Sequence, residues 1–153
     1  MINYHKPKYF PFYWSIVKAA ELQSVSNRDR IGAVMVLPNG MIATGWNGTP
    51  SGTDNCCESS ELELNTRTGL MEPKTKPEVV HAERNVLKKL LKAGLSSEGA
   101  ILFISREPCP ECVSILTDIG IKEIHYMRSS PKNAAETLTR NSIQLFSYPQ
   151  LAE

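Results

Sequence analysis

The sequence predicts an α/β protein: a three-layer α/β/α fold built on a mixed, mostly parallel five-stranded sheet. Three observations carry this expectation. Strand-like runs alternate with helical stretches in the order α-β-β-α-β-α-β-α-β, and such alternation pairs strands in parallel beneath helices on both faces. Residues 100–105, Ala-Ile-Leu-Phe-Ile-Ser, are apolar without a polar face, as expected of a strand covered on both sides. Two apolar runs, Ile31 to Leu37 and Met41 to Trp46, flank Pro38-Asn39-Gly40, so a hairpin makes one edge of the sheet antiparallel.

The elements follow in chain order. Residues 1–10 are polar and aromatic and form an N-terminal arm. Pro11 suits a helix start, and Phe12, Ile16, Val17, Ala20 and Leu22 are spaced for an amphipathic helix reaching about Ser24. Ser26 to Arg30 is a polar loop that leads into the hairpin. Gly45-Trp46-Asn47-Gly48-Thr49-Pro50-Ser51-Gly52 then holds three glycines and a proline. This is either an ordinary surface loop or one whose backbone approaches a ligand, since glycine leaves the main chain uncovered. Residues 54–79 read as a loop-rich insertion, with a short helix near Ser59 to Leu64 and loop at Thr66–Gly69 and Pro73–Pro77. Ala82 to Ala93 is the clearest helix. Val86, Leu87, Leu90 and Leu91 share a face, the lysines point away, and Gly94 stops it. The Pro108-Cys109-Pro110-Glu111-Cys112 stretch opens a helix that runs to Ile119 and ends at Gly120. Ile121 to Met127 is a strand, Pro131 to Asn141 a helix and Ile143 to Tyr148 a last strand.

At 153 residues the chain is expected to be a single domain, 1–153, with a core that needs no disulfides. Seventeen basic and 16 acidic residues leave it near neutral, which argues against a protein that grips long nucleic acid. No apolar run approaches a membrane span, and the N-terminus has no signal-peptide core. The four cysteines are one adjacent pair, Cys56-Cys57, and one Cys-x-x-Cys pair, a usage that suits metal binding rather than a secreted disulfide scaffold. A reducing cytoplasm is the expected setting.

Chemistry concentrates in His81-Ala82-Glu83 and Pro108-Cys109-Pro110-Glu111-Cys112. His81, Cys109 and Cys112 are three ligands of the type zinc takes, and a catalytic zinc usually has three protein ligands with a fourth position open. Glu83 lies too close to His81 in sequence to be a convenient fourth ligand and is placed to move protons. Each half alone has other readings: a redox Cys-x-x-Cys, or a structural zinc site using one of the adjacent cysteines. Both motifs open helices, so the ligands sit at helix N-termini, where partial positive charge favours thiolates.

The combination of His-x-Glu with Pro-Cys-x-x-Cys is a signature of zinc-dependent nucleobase deaminases. The chain resembles the zinc-dependent cytidine/deoxycytidylate deaminase superfamily, and within it the short phage and bacterial dCMP deaminases. Ile31-Gly32-Ala33-Val34, the Gly45–Gly52 loop, Asn55-Cys56-Cys57, His81-Ala82-Glu83-Arg84-Asn85, the Cys-x-x-Cys motif and Gly120-Ile121-Lys122 to Tyr126 carry the resemblance. It implies one catalytic Zn2+ per chain on His81, Cys109 and Cys112, with Glu83 as proton shuttle. It further implies that Asn47 holds the sugar hydroxyl, Arg28 meets the 5′-phosphate, Tyr126 lies near the sugar-phosphate end and the Ala82 amide binds the pyrimidine carbonyl. Arg30 is an equal phosphate candidate by type, and Tyr126 reads equally as a core residue.

The substrate implied is dCMP, converted to dUMP and ammonia for thymidylate synthesis, with dCTP as an alternative. A base in tRNA or single-stranded DNA would want a basic groove and stacking aromatics. A non-catalytic zinc module would leave Glu83 without a purpose. Resemblance also implies a homohexamer controlled by dCTP and dTTP, with Mg2+ accompanying the triphosphate and Gly48 and Gly52 in the effector loop. No membrane or stable nucleic-acid partner is expected, and Cys56 and Cys57 are expected to be packed and inert.

Overall fold

A computed structural model describes residues 1–26, 29–48, 58–65, 69–75, 80–129 and 143–152. Among them, α1 (Phe10–Glu21), β1 (Gly32–Val36), β2 (Ile42–Trp46), α2 (Ala82–Ala93), β5 (Ile101–Arg106), α3 (Pro110–Asp118), β6 (Glu123–Arg128) and β7 (Gln144–Ser147) build the main body. A separate two-stranded ribbon pairs β3 (Glu58–Asn65) with β4 (Leu70–Thr75). The helix expected over 131–141 and the Cys56-Cys57 pair lie outside the described residues.

The five-stranded sheet has the order β2-β1-β5-β6-β7. β1 is antiparallel to both β2 and β5, while β5, β6 and β7 pair in parallel. Four strands therefore share one direction and β1 alone opposes them. The chain leaves β2, crosses through α2 over β1, and returns as β5 on its far side. As a result the ends of β2, β5 and β6 and the entry to β1 all meet at one rim, the rim where open α/β sheets bind ligands.

Period-two alternation splits the sheet between two cores. Ala33, Met35, Leu102, Ile104 and Ile124 face α2 and α3, packing on Ala82, Val86, Leu90, Val113 and Leu116. Val34, Val36, Ile101, Phe103 and Met127 face α1, packing on Tyr13, Trp14 and Val17. Both strand faces are buried, as the apolar run at 100–105 predicts. Burial alone is worth about 1.5–3 kcal/mol for each large apolar side chain.

Two helix faces differ from expectation. In α1 the buried stripe is Tyr13, Trp14, Val17 and Ala20; Phe12 and Leu22 are exposed. A helix buries positions three and four apart, and the aromatic pair at 13 and 14 with Val17 outcompetes the flanking Phe12. In α2 the stripe is Ala82, Glu83, Val86 and Leu90, and Leu91 points to solvent. The short helix expected at 59–64 is instead strand β3, and Pro73, expected in a loop, lies in β4 opposite Leu62. Glu61-Leu62-Glu63-Leu64 alternates with period two, and this outweighs the helix propensity of Glu and Leu. Gly69, at φ +75°, sits at the ribbon's turn. Proline is tolerated because a two-stranded ribbon consists of edge strands.

On the α1 side, the buried His125 ring is stacked between Phe103 and Phe146 at 4.6 and 4.7 Å. Its Nδ1 lies 2.9 Å from the Tyr148 hydroxyl. Burial, aided by nearby His5, lowers its pKa from 6.5 to about 4. Glu123 lies 3.4 Å from Nε2 and would oppose the shift, but no hydrogen bond forms there and the aromatic sandwich dominates. A folded-state pKa below the unfolded value stabilises the fold above pH 6.5, and this contribution is lost as pH falls from 6.5 toward 4. Stability should therefore fall across that window by on the order of 3 kcal/mol. Replacing His125 by Phe should flatten this acid limb in denaturant titrations at pH 7 and pH 4.5; an unchanged slope would place the acid sensitivity elsewhere.

Candidate metal centre and substrate loop

Both motifs begin helices, and that places the ligands. His81 is the N-cap of α2 and Cys109 the N-cap of α3, each in extended backbone conformation. Pro110 follows Cys109 at the first helical position, where its missing N–H costs nothing. Cys112 is then the third helical residue and turns back toward the cap. Glu83 is the second residue of α2 and is buried at 6% exposure. The early N–H groups of both helices have no partner within their own helix.

His81, Cys109 and Cys112 place Nδ1 and two Sγ atoms all within 4.8 Å of one another. Nδ1 is 3.3 Å from Cys112 Sγ and 3.8 Å from Cys109 Sγ. Tetrahedral zinc, with bonds of about 2.0–2.3 Å, separates its ligand atoms by about 3.5–3.8 Å. The donor set and its spacing thus fit one zinc ion. Glu83 Oε1 lies 3.4 Å from the same Nδ1.

Electrostatics within the triad point the same way. The Cys109 thiol is pulled down to about 3, chiefly by its hydrogen bond with Cys112 and, against the cost of burial, by His81. His81 is raised to about 9 by hydrogen bonding to Cys109 and then to Glu83. Cys112 is pushed up, first by Cys109 and then by burial. The three side chains thus lie close enough to set one another's affinity for protons.

The loop after β2 is stapled to the start of α2. A Cβ on Gly45 would lie 2.7 Å from the Ala82 carbonyl and 2.8 Å from the Val86 amide, so only glycine lets strand and helix approach this closely. Asn85 Nδ2 donates to the Trp46 carbonyl at 2.7 Å. Gly48 and Val80 exchange backbone hydrogen bonds of 3.1 and 2.7 Å immediately before His81. Asn47 is 7% exposed. Its Oδ1 accepts from the Ile31 amide at 2.9 Å and lies 2.7 Å from the Ser24 hydroxyl, and its Nδ2 donates to the Asp29 carbonyl at 2.8 Å.

The structure thus brings together His81, Cys109, Cys112, Glu83 and the Ala82 amide, and ties Asn47 and Gly48 to them through Val80. Tyr126 sits on β6 opposite Ile104, packed within the core on the α2 side. Arg28 and Gly52 lie outside the described residues. Arg30 is exposed at the surface, with its Nε donating to the Ser26 carbonyl at 3.3 Å. Sequence reasoning did not single out Gly45 as the contact point for α2, although its place in a glycine-rich run was the signal. Asn85 stands in the motif that carries the resemblance without a role of its own there, and Asp29 carries no periodic signal.

A histidine and two cysteines at converging helix starts, with a buried glutamate two residues past the histidine, define the zinc-deaminase class of site. Residues 12–128 match the family described as the cytidine and deoxycytidylate deaminase zinc-binding region. The dCMP deaminase of cyanophage S-TIM5, solved in complex with dCMP and dUMP, superposes with a TM-score of 0.80 and 32% identity over 93% of this chain and 98% of that one. The deoxycytidylate deaminase of Mycobacterium phage D29 is 30% identical over 82% of this chain and 98% of its own length. That of Schizosaccharomyces pombe is 33% identical over 95% of this chain, which spans 46% of the yeast protein. The chain belongs to the cytidine and deoxycytidylate deaminase family, a family of zinc-binding hydrolytic deaminases.

Proposed function

We propose that this protein hydrolyses dCMP to dUMP and ammonia at the His81, Cys109 and Cys112 centre. The observation that carries the reading is the buried Glu83 carboxylate 3.4 Å from the Nδ1 that faces both sulfurs. Zinc, when bound there, lowers the pKa of a water toward neutrality and so supplies the nucleophile. Glu83 Oε takes the water's first proton and gives it to ring N3, then takes the second from the new C4 hydroxyl and gives it to the departing amine. Water is consumed, ammonia leaves and the ring becomes uracil. A carboxylate held on the first turn of a helix needs no rearrangement as charge develops at C4. The Ala82 amide, at the first position of α2, donates to the pyrimidine carbonyl. Asn47 keeps one Nδ2–H beyond its bonds among the described residues, and this would meet the sugar hydroxyl. Arg28 takes the 5′-phosphate and Tyr126 borders the sugar-phosphate end.

The dCMP-bound cyanophage relative supports the choice of substrate, since it matches nearly this whole chain. The homohexamer, control by dCTP and dTTP at Gly48 and Gly52, and the accompanying Mg2+ are supported by family resemblance; light scattering with and without each nucleotide tests them. A cytoplasmic setting fits the thiol ligands, and among the described residues no helix is long and apolar enough to cross a membrane. The deciding experiment offers the purified protein dCMP, deoxycytidine, dCTP and a cytosine-containing oligonucleotide and measures ammonia. Rapid release from dCMP is expected; release from the oligonucleotide alone would overturn the substrate. Metal analysis of Cys109→Ala should show zinc falling well below one ion per chain, and full retention would contradict the ligand assignment.

A further inference from the structure

At the rim where β5 and β6 end, Arg106 and Arg128 lie opposite each other in register. One carboxylate joins them. Arg106 Nη1 donates to Asp29 Oδ2 at 3.0 Å, and Arg128 Nη2 donates to Asp29 Oδ1 at 3.0 Å. Arg128 Nη2 also reaches the Arg30 carbonyl at 3.2 Å, and its Nη1 lies 3.8 Å from Glu21. The Glu107 amide donates to the Arg128 carbonyl at 2.8 Å, which ties the end of β6 to the segment entering Cys109. Asp29 therefore bridges two strand ends, one of which continues directly into the metal-ligand motif.

The same residue reaches the substrate loop through its backbone. Its carbonyl accepts from Asn47 Nδ2 at 2.8 Å, and the Ile31 amide donates to Asn47 Oδ1 at 2.9 Å. Residues 29–31 lie outside any helix or strand, and Asp29 is pinned through both oxygens of its side chain, which sets where its carbonyl sits. We propose that Asp29 is a positioning residue, clamped by Arg106 and Arg128 so that Asn47 is held at the height where a nucleoside sugar meets it. This rests on the deaminase reading above. Among the described residues, both guanidinium groups pair with Asp29, Arg128 also lies beside Glu21, and the buried Arg128 Nε has no hydrogen-bond partner. The cluster is thus a brace between Asp29 and the ends of β5 and β6.

That role gives the test. Asn47 faces a sugar that dCMP and deoxycytidine both carry, so a brace for Asn47 serves both substrates equally. In Asp29→Asn, KM for dCMP and for deoxycytidine should rise by the same factor, about fivefold, as for loss of one ordinary hydrogen bond. The kcat values should stay within about twofold, because uniform binding is lost rather than transition-state binding. Asp29→Glu, which keeps the charge, should recover most of the loss. Unchanged KM for both substrates would overturn the proposal, as would a rise confined to dCMP, which would make the arginines a phosphate subsite. If Asp29→Asn does not fold, Arg106→Gln carries the same paired expectation. Parent protein that releases no ammonia from either substrate would sink the deaminase reading itself, and this outcome is distinct from an active parent with indifferent variants.

Discussion

Glu83→Gln is expected to lower dCMP turnover by about 10²–10⁴-fold, the range for a positioned acid–base group. The amide keeps the shape of the side chain and loses only its capacity to carry a proton. Zinc content should stay at one ion per chain, because the proposed ligand atoms are Nδ1 and two sulfurs, and Glu83 neighbours the imidazole. KM should change little, since a group that acts in the transition state contributes little to ground-state binding. Turnover within tenfold of the parent would remove Glu83 from the proton path. Loss of zinc together with activity would instead make it a support for His81.

Phe103→Ala is expected to cost about 3–5 kcal/mol of stability. Phe103 is fully buried on the α1 side of the central strand β5. Phe10 and Trp14 meet its ring edge-on at 4.9 and 5.2 Å, and His125 stacks on it at 4.6 Å. Truncation leaves a cavity between a sheet and a helix, neither of which can collapse into it. A chain of this length should lose about 6–20 °C in thermal midpoint. Phe12→Ala, at an exposed position of the same helix layer, provides the comparison and should change stability by about 0.5 kcal/mol or less. Equal losses from the two substitutions would contradict the two-core description.

Local chemistry made most of the main body legible. Eight of the expected elements, at α1, β1, β2, α2, β5, α3, β6 and β7, recur within three residues of their observed limits. Each has a strong periodic signal and a clear stop, such as Gly94 in the left-handed conformation after α2. The ribbon departs from the helix expected at 59–64 because Glu and Leu are good helix formers, whereas their strict alternation favours a strand. Leu91 and Phe12 went to the wrong face because a sequence shows the width of an apolar stripe, whereas the partner surface decides which edge of it is covered.

The residue types alone pointed to the chemistry: a histidine, a glutamate two residues on, and a Cys-x-x-Cys pair are the pattern of a deaminase zinc site. They also determined that both motifs start helices, because caps and turns depend on neighbours close in sequence. Only the tertiary structure decided that β1 is inserted against the direction of the other four strands. That choice brings Asp29, Asn47, His81 and Cys109 to one rim from four separate parts of the chain. The brace at Asp29 and the close approach at Gly45 depend on residues far apart in sequence, and no local pattern encodes such a meeting.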